Sequence, residues 1–353
     1  MAAYSGGMSG VTLTPRPQTP PSNLSFTARE VVPLNFRSFK TTITQGKKRP
    51  ALQCVWSVDG QRLATCGNEH GVRLWNPQQS LLAKDTTLTT GGHTSGCDVT
   101  ACAWSSFHKD FFCSSSEQDR ALVFWDARKK GPAHQLKTPE TISRILYAPD
   151  GDSIAVQEHG SVIKRLELKM LPRDSHKWDF VPGKLDAVEG IRDFKFNHPG
   201  DLLFIATKSG SFTTVEYPTL NLLESFKSHT GYCNVLDLDP RGSYMATGGE
   251  DGMVNIFNNV EMQLSRATFI SDLPIYNLSY SFDGEYLAVG QLSSEVVIAS
   301  SVSGEVLYRE MRQGGWPSCI TWHPSKYIIA TCGDHPKGRA AGWIAVNSMT
   351  QHS

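Results

Sequence analysis

The stretch Leu238-Asp239-Pro240-Arg241-Gly242-Ser243-Tyr244-Met245-Ala246-Thr247-Gly248 contains a large apolar residue, a tight turn and a short strand-like run. The same order recurs along the chain every 42 to 49 residues. The residues at the position of Leu238 are Trp56, Trp104, Tyr147, Phe196, Leu238, Tyr280 and Trp322. We call these seven residues the anchors. The residue two positions before each anchor is also apolar, as in a strand that buries one face. The chain is therefore predicted to consist of seven repeats.

Each repeat also contains further strand-like runs after the turn. In the fifth repeat, for example, Met253–Phe257 form a third run, and the fourth repeat ends with a weaker one at Leu222–Phe226. Four short antiparallel strands within a period of about 44 residues are typical of a β-propeller blade of the WD-repeat type. The sequence therefore predicts an all-β fold, a seven-bladed WD-repeat β-propeller.

The two ends of the chain indicate how such a ring closes. After the last strand-like run, which ends near Val346, too few residues remain for an outer strand. Residues 34–43 alternate in polarity, and we expect this N-terminal strand to complete the last blade and remove the open sheet edges. The propeller is predicted to span residues 30–349. Residues 1–29, rich in Pro, Ser and Thr, are predicted to be a disordered tail, and residues 350–353 a short C-terminal tail.

Composition excludes several other classes of protein. Lys+Arg and Asp+Glu are both 34, the formal net charge is +0, and 19% of residues are charged. This balance argues against a coiled coil, a disordered chain and a protein that binds nucleic acid through bulk charge. No apolar run approaches the roughly 18 residues of a membrane span, so no membrane association is predicted. The eight cysteines include no C-x-x-C pair and are predicted to be reduced and buried.

Some polar residues recur at fixed positions of the repeats. Histidine, aspartate, hydroxyl and indole groups at this spacing suit a buried hydrogen-bond network across the strands of one blade. Because the repeat itself requires this spacing, we interpret the histidine–aspartate pairs as structural rather than catalytic. The predicted network residues are His93, Ser115, Asp119 and Trp125 in the second repeat, and His229, Thr247 and Asp251 in the fifth.

The usual motifs of enzymes are absent from the sequence. It has no G-x-S-x-G, no P-loop, no H-E-x-x-H and no G-x-G-x-x-G between a strand and a helix. We therefore predict that the protein is not an enzyme and has no catalytic, cofactor-binding or metal-binding residues. Two short basic clusters, at residues 47–49 and 128–130, are interpreted as solvated loops. Direct RNA binding is predicted to be weak or absent.

Aromatic residues in loops are the candidates for binding a partner. Trp178 and Phe180 lie in a long connection, residues 169–190, that shows no strand pattern. An exposed aromatic there is a candidate hot spot, and half-buried packing against the ring is the alternative. Further candidates lie in the loops that lead into the first strands of the last three repeats, at one rim of the channel: Tyr232, Tyr276 and Trp316.

The segment from Leu202 to Trp322 resembles a known family, the WD-repeat third subunits of the THO complex, a Tex-type component of the transcription–export (TREX) assembly. The resemblance is carried by Val215-Glu216-Tyr217-Pro218-Thr219-Leu220, by His229 with Cys233, by Leu238-Asp239-Pro240-Arg241-Gly242, by Leu273-Pro274-Ile275 and by Ile320-Thr321-Trp322-His323-Pro324. The Tyr-Pro turn is its most distinctive element. The blade spacings and the termini extend the likeness over nearly the whole predicted ring.

This resemblance implies a non-catalytic scaffold subunit located in the nucleus, without cofactors. Such a subunit would couple transcription to mRNA processing and nuclear export through protein–protein contacts of its propeller. Its partners would be the large helical THO subunits and, indirectly through them, a DEAD-box helicase and nascent messenger ribonucleoprotein. The alternative is a WD-repeat adaptor of another nuclear assembly, such as a ubiquitin-ligase substrate receptor or a histone-tail reader.

Overall fold

The regular structure consists of β-strands throughout the part of the chain that can be described. The computed structural model describes residues 34–35, 41–44, 51–68, 70–77, 86–159, 161–171, 175–311, 315–333, 343–348 and 350–351. Four-stranded antiparallel sheets follow one another along these ranges, which confirms the predicted all-β propeller. The predicted tail at residues 1–29 and the basic cluster at residues 47–49 lie outside the described residues.

Six of the four-stranded sheets are each made of consecutive strands. Sheet 1 contains β3 (Ala51–Trp56), β4 (Leu63–Gly67), β5 (Val72–Trp75) and β6 (Thr87–Thr89). Sheet 2 contains β7 (Ala101–Trp104), β8 (Phe111–Ser115), β9 (Ala121–Asp126) and β10 (Pro132–Lys137). Sheet 3 contains β11 (Ile142–Tyr147), β12 (Ser153–Glu158), β13 (Val162–Leu171) and β14 (Ser175–Leu185).

The next three sheets repeat this arrangement with strands of similar length. Sheet 4 contains β15 (Ile191–Phe196), β16 (Leu202–Thr207), β17 (Ser211–Glu216) and β18 (Leu222–Lys227). Sheet 5 contains β19 (Cys233–Leu238), β20 (Tyr244–Gly249), β21 (Met253–Asn258) and β22 (Gln263–Phe269). Sheet 6 contains β23 (Ile275–Tyr280), β24 (Tyr286–Gln291), β25 (Glu295–Ser300) and β26 (Val306–Met311).

The remaining four-stranded sheet, sheet 7, combines both ends of the chain. Its first three strands are β27 (Pro317–Trp322), β28 (Ile328–Gly333) and β29 (Trp343–Ser348), and its outer strand is β2 (Thr41–Thr44). Thr41 pairs with Val346 and Thr44 with Trp343 in antiparallel register. The outer strand of this sheet therefore comes from the N-terminal part of the chain.

The outer strand is shorter than the alternating pattern of residues 34–43 suggests. Leu34–Asn35 (β1) do not continue it but pair with Thr350–Gln351 (β30), which the sequence analysis places in the C-terminal tail. A ladder of two residue pairs is too short to produce a hydrophobic period, which is why the sequence pattern does not reveal it.

The exposure of a strand to solvent depends on its position within the sheet. The second strands are the most buried, and small residues such as Ala155, Ala246 and Ala288 lie on them without exposure to solvent. Outer strands such as β18 and β22 are mostly exposed. The apolar clusters join neighbouring sheets, and one of them places Trp56 and Trp75 of sheet 1 together with Ala330 and Cys332 of sheet 7. Each sheet is thus stabilised by apolar packing against its neighbours.

His323 connects sheet 7 to sheet 1 through polar and aromatic contacts. Its Nε2 donates a hydrogen bond to the carbonyl oxygen of Gly60 at 3.0 Å, and its Nδ1 accepts one from the backbone N–H of Ser325 at 3.1 Å. Its ring also meets Trp56 edge to face, with centroids 4.8 Å apart. Burial lowers the pKa of His323 to about 4, so the imidazole is neutral at pH 7.

Gly60→Ala tests this connection. The added Cβ would lie 2.2 Å from the His323 ring, at a backbone φ of +69° that also disfavours alanine. Gly91→Ala is the matched control, because Gly91 has a φ of +84° and no atom within 4 Å of its Cβ position. In urea unfolding, we expect Gly91→Ala to cost about 1 kcal/mol from backbone strain. Gly60→Ala should cost about 2–4 kcal/mol because the His323 contact is also lost. Equal losses would contradict a closing role for His323.

Candidate functional site

A buried chain of side-chain hydrogen bonds crosses sheet 2. The indole N–H of Trp125 donates to Ser114 Oγ at 2.8 Å, and His93 Nε2 lies 2.8 Å from the same oxygen. The other imidazole nitrogen, Nδ1, lies 3.2 Å from Asp119 Oδ2. This carboxylate also accepts the backbone N–H of Thr94 at 2.9 Å. The network therefore holds the loop before the first strand against the turn between the second and third strands.

Ser115, which the sequence analysis places in this network, is not part of it. Its hydroxyl donates instead to the carbonyl oxygen of Ile142 in sheet 3, at 3.0 Å. In sheet 1 the hydroxyl partner of the indole, Thr65, lies ten residues before Trp75. The same count from Trp125 leads to Ser115, but the turn between β8 and β9 is one residue longer than that between β4 and β5. The extra residue moves the network position to Ser114.

Sheet 5 contains a related network that lacks the indole. His229 Nδ1 lies 2.9 Å from Asp251 Oδ1, and His229 Nε2 lies 2.9 Å from Thr247 Oγ1. Phe257 occupies the position of the tryptophan and has no N–H to donate, and the Ser228 hydroxyl contacts Thr247 Oγ1 at 2.6 Å instead. Both sheets therefore contain the histidine–aspartate pair. The hydroxyl next to histidine Nε2 is contacted by the Trp125 indole in sheet 2 and by the Ser228 hydroxyl in sheet 5.

Burial determines the charge state of both network histidines. The side chains of His93 and His229 have no solvent-exposed surface. Burial lowers the pKa of each imidazole, although the neighbouring aspartates, Asp119 and Asp251, act in the opposite direction. A neutral ring that donates from Nδ1 to the carboxylate and accepts a hydroxyl at Nε2 satisfies every partner. These pairs are hydrogen-bonded supports of the blades rather than exposed acid–base groups.

The sheet 5 network also fixes the loop that carries a candidate aromatic residue. The backbone N–H of Thr230 donates to Asp251 Oδ2 at 3.0 Å. Two residues later, the carbonyl oxygen of Tyr232 accepts the backbone N–H of Glu250 at 2.9 Å. Tyr232 itself is 42% exposed. The aromatic side chain is therefore presented from a loop whose backbone is held at two points.

The other two candidates on this rim lie at the same ends of the following sheets. Tyr276 is 37% exposed and occupies a β-bulge, because the pairing of β23 with β24 shifts between Ile275 and Asn277. A bulge turns a side chain away from the regular alternation. Trp316 precedes β27 directly and is 50% exposed. Leu273 and Leu292 are exposed beside them. We call these five residues the rim arc: Tyr232, Leu273, Tyr276, Leu292 and Trp316.

Side-chain amides connect the strands that carry the rim arc. Asn234 Nδ2 of β19 donates to the carbonyl oxygen of Ile275 at 3.1 Å, and Asn277 Nδ2 of β23 donates to that of Pro317 at 2.9 Å. Arg192 of β15 in turn donates to Asn234 Oδ1 at 3.1 Å. The starts of four neighbouring first strands are therefore joined by hydrogen bonds, and the rim arc is held on a preformed surface.

The structure separates Trp178 and Phe180 from the rim candidates. Both lie on β14, which pairs with β13 in a long hairpin, so the connection is not the structureless loop that the sequence suggests. Trp178 is 9% exposed and stacks on Phe124 of sheet 2, with centroids 5.3 Å apart. Phe180 is half-buried, with Lys164 Nζ 5.7 Å from its ring centroid. Trp178 thus packs two sheets together, as the alternative interpretation describes.

Charged groups in the described part of the chain mostly have partners. Lys195 Nζ lies 3.2 Å from Asp237 Oδ1, and this carboxylate raises the pKa of Lys195. In the basic cluster at residues 128–130, Arg128 donates two hydrogen bonds to Asp126 at 2.8 Å. Within the described residues no group of three or more His, Cys, Asp or Glu side chains could hold a metal ion. In the same residues no helix has the length and apolar character of a membrane span.

Two neighbouring serines give a direct test of the sheet 2 network. Ser114→Ala removes the partner of the Trp125 indole N–H and of His93 Nε2, and leaves both buried groups unsatisfied. We expect this substitution to lower the free energy of unfolding by about 2–4 kcal/mol. The control, Ser115→Ala, removes a single hydrogen bond to Ile142 and should cost about 1 kcal/mol. Urea unfolding of the two variants measures the difference, and a larger loss for Ser115→Ala would contradict the network.

Comparisons with known proteins agree with these observations. A family model described as the WD domain, G-beta repeat, matches residues 39–76, 84–126 and 220–258. The chain is 26% identical to THO complex subunit 3 of Arabidopsis thaliana over 306 residues, which are 86% of this chain and 93% of that protein. It is 21% identical to the WD repeat-containing protein AAC3 of Dictyostelium discoideum, over 90% of this chain and 69% of that protein.

A solved structure shows the same fold. The crystal structure of the Cps50 (Swd1) beta-propeller domain of Myceliophteria thermophila superposes with a TM-score of 0.71 at 16% sequence identity. The match covers 89% of this chain and 100% of that domain. The chain therefore folds as a β-propeller, matches the WD-repeat model over the three stretches given above, and is similar to THO complex subunit 3.

Proposed function

We propose that this chain is a non-catalytic scaffold subunit of a THO-type complex in the nucleus. It would couple transcription to mRNA processing and nuclear export through protein–protein contacts of a closed, seven-bladed ring. The likeness to THO complex subunit 3 extends over 86% of this chain and 93% of that protein, which supports a corresponding place in an assembly. The histidine–aspartate pairs support a structural rather than a catalytic role, because both are buried in hydrogen-bond networks within the blades.

The rim arc is the observation that carries this proposal. Three aromatic side chains, Tyr232, Tyr276 and Trp316, are exposed on one rim of three consecutive sheets. Aromatic residues of this kind dominate the binding energy of protein interfaces when a partner removes them from water. Hydrogen bonds between the first strands already hold their backbone, so little conformational entropy is lost when a partner binds.

The partners that we propose are the large helical subunits of the THO complex. A DEAD-box helicase and nascent messenger ribonucleoprotein would be reached indirectly through them. The chain has a formal net charge of +0, and Arg128 of the basic cluster at residues 128–130 is already bonded to Asp126. Little positive charge is therefore available for RNA. Direct RNA binding is therefore proposed to be weak or absent.

A purification from nuclei tests the scaffold role. The tagged full-length chain, treated with RNase, should retain the large helical THO subunits. Changing Tyr232, Tyr276 and Trp316 together to Ala should reduce their recovery by at least about tenfold, because each side chain is an expected hot spot.

The control variant changes exposed apolar residues on the outer strands instead. Leu222, Leu223 and Leu264 are each more than half exposed, so changing them to Ala removes apolar surface from another part of the ring. Recovery should then equal that of the unmodified chain. If the unmodified chain retains ubiquitin-ligase subunits or histones but no THO subunits, the proposal is wrong and the adaptor alternative holds. Equal losses in both variants would exclude the rim arc as the docking surface.

A further inference from the structure

Three cysteine thiols meet where the ring closes. Cys54 lies on β3 of sheet 1, and Cys319 and Cys332 lie on β27 and β28 of sheet 7. Cys54 and Cys332 are buried in the apolar cluster that joins these two sheets, and Cys319 packs against the same cluster. The Cys319 thiol is hydrogen-bonded to the thiols of both other cysteines. We call these three residues the seam thiols.

Cys54 and Cys319 lie side by side across the boundary between the two sheets. Cys54 Sγ lies 3.9 Å from the carbonyl oxygen of Cys319, and Cys319 Sγ lies 3.3 Å from the carbonyl oxygen of Cys54. These contacts are reciprocal, so each side chain points toward the backbone of the other residue. A disulfide needs sulfur atoms about 2.0 Å apart and Cα atoms roughly 4.4–6.8 Å apart. Because the two thiols already share a hydrogen bond, rotation of the side chains can bring the sulfur atoms together.

Cys332 is less suited to form a disulfide with Cys319, although the two residues lie directly opposite each other in β27 and β28. The backbone N–H of His323 donates to the carbonyl oxygen of Ile328, and the alternation of the antiparallel ladder then makes Cys319 and Cys332 a hydrogen-bonded pair. The Cβ atoms of such a pair are about 5.5 Å apart, whereas a disulfide needs about 3.5–4.5 Å. The geometry therefore favours the partner in the other sheet.

The seam thiols differ in their access to solvent. Cys319 is partly exposed, whereas Cys54 is 1% exposed and Cys332 is not exposed at all. Hydrogen bonds from the thiols of Cys332 and Cys54 hold the pKa of Cys319 well below its ordinary value. A thiolate that solvent can reach is the form of cysteine that reacts with peroxides. Cys319 is thus the reactive thiol, and Cys54 is a protonated thiol held beside it.

We propose that hydrogen peroxide oxidises Cys319 and that Cys54 converts the product into a disulfide between sheets 7 and 1. The Cys319 thiolate attacks one peroxide oxygen, the O–O bond breaks, and a sulfenic acid and a hydroxide ion form. The Cys54 sulfur then attacks the Cys319 sulfur. The S–S bond forms, the S–O bond breaks, and the departing hydroxide leaves as water with the proton of the Cys54 thiol. The two cysteines lose two electrons, and the peroxide gains them.

The disulfide would fix the closure of the ring covalently. In the reduced chain, closure depends on the short ladder between Thr41–Thr44 and Trp343–Val346 and on the packing of sheet 1 against sheet 7. Cys54 and Cys319 are 265 residues apart, so a bond between them restricts most of the unfolded chain. Oxidation therefore stabilises the closed ring. Intracellular disulfides are usually transient and redox-sensing, which fits a bond that forms only when peroxide is present.

Peptide mass spectrometry of the full-length chain tests the pairing after treatment with hydrogen peroxide. Trypsin places the seam thiols on three different peptides, residues 49–62, 313–326 and 327–337. With free thiols alkylated before a non-reducing digest, we expect residues 49–62 to be joined to residues 313–326, and dithiothreitol to release them. The linked chain should run as a monomer in non-reducing electrophoresis. A bond between residues 313–326 and 327–337, a disulfide-linked dimer, or no bond would overturn the proposal.

Thermal unfolding of two matched variants tests the effect on the ring. Cys54→Ala and Cys332→Ala each remove one buried thiol beside Cys319, and each variant is compared with its own reduced form. At the end point of oxidation, the unmodified chain and Cys332→Ala should unfold about 5 °C or more higher than when reduced. Cys54→Ala should gain nothing, and its Cys319 sulfenic acid should persist and react with dimedone. Equal gains in the two variants, or a gain in neither, would contradict a bond between Cys54 and Cys319.

Discussion

The pairing of Thr41–Thr44 with Trp343–Ser348 is the constraint on which the rest of the structure depends. Without that pair, the last sheet would lack its outer strand and the third strand would present an unpaired edge. The closure also brings β27 and β28 against β3, where Cys54 and Trp56 pack with Ala330 and Cys332. His323 adds a hydrogen bond to Gly60 at the same seam. Both ends of the channel then have a fixed outline, because every sheet has two neighbours.

Much of the fold could be predicted because the repeat combines two independent signals. The anchors recur at nearly constant spacing, and each lies in a strand with one buried face. The structure buries all of them except Leu238, which is partly exposed. Features that depend on single residues were harder to predict. The network serine is Ser114 rather than Ser115 because one turn has an extra residue, and no spacing rule in a single repeat contains that information.

The candidate site residues also differ in whether their exposure depends on the local sequence or on contacts with distant parts of the chain. Tyr232 and Trp316 each lie directly before a first strand, and both are exposed, as their position in the repeat predicts. Trp178 depends on its surroundings, because it stacks on Phe124, which lies more than fifty residues earlier in the chain.

The first strands explain why the surface that carries the rim arc is rigid. Polar bonds cross between these strands along their length: Arg144 bonds to Asp193, Asp193 accepts the backbone N–H of Leu236, and Asp237 accepts that of Tyr280. The bond between Asp193 and Leu236 is buried, where a low dielectric strengthens it, and the three bonds together resist shear between neighbouring sheets. The rim arc therefore lies at one end of a rigid set of strands. A partner that docked on the rim arc would meet side chains whose backbone is already fixed, so little conformational entropy would be lost on binding.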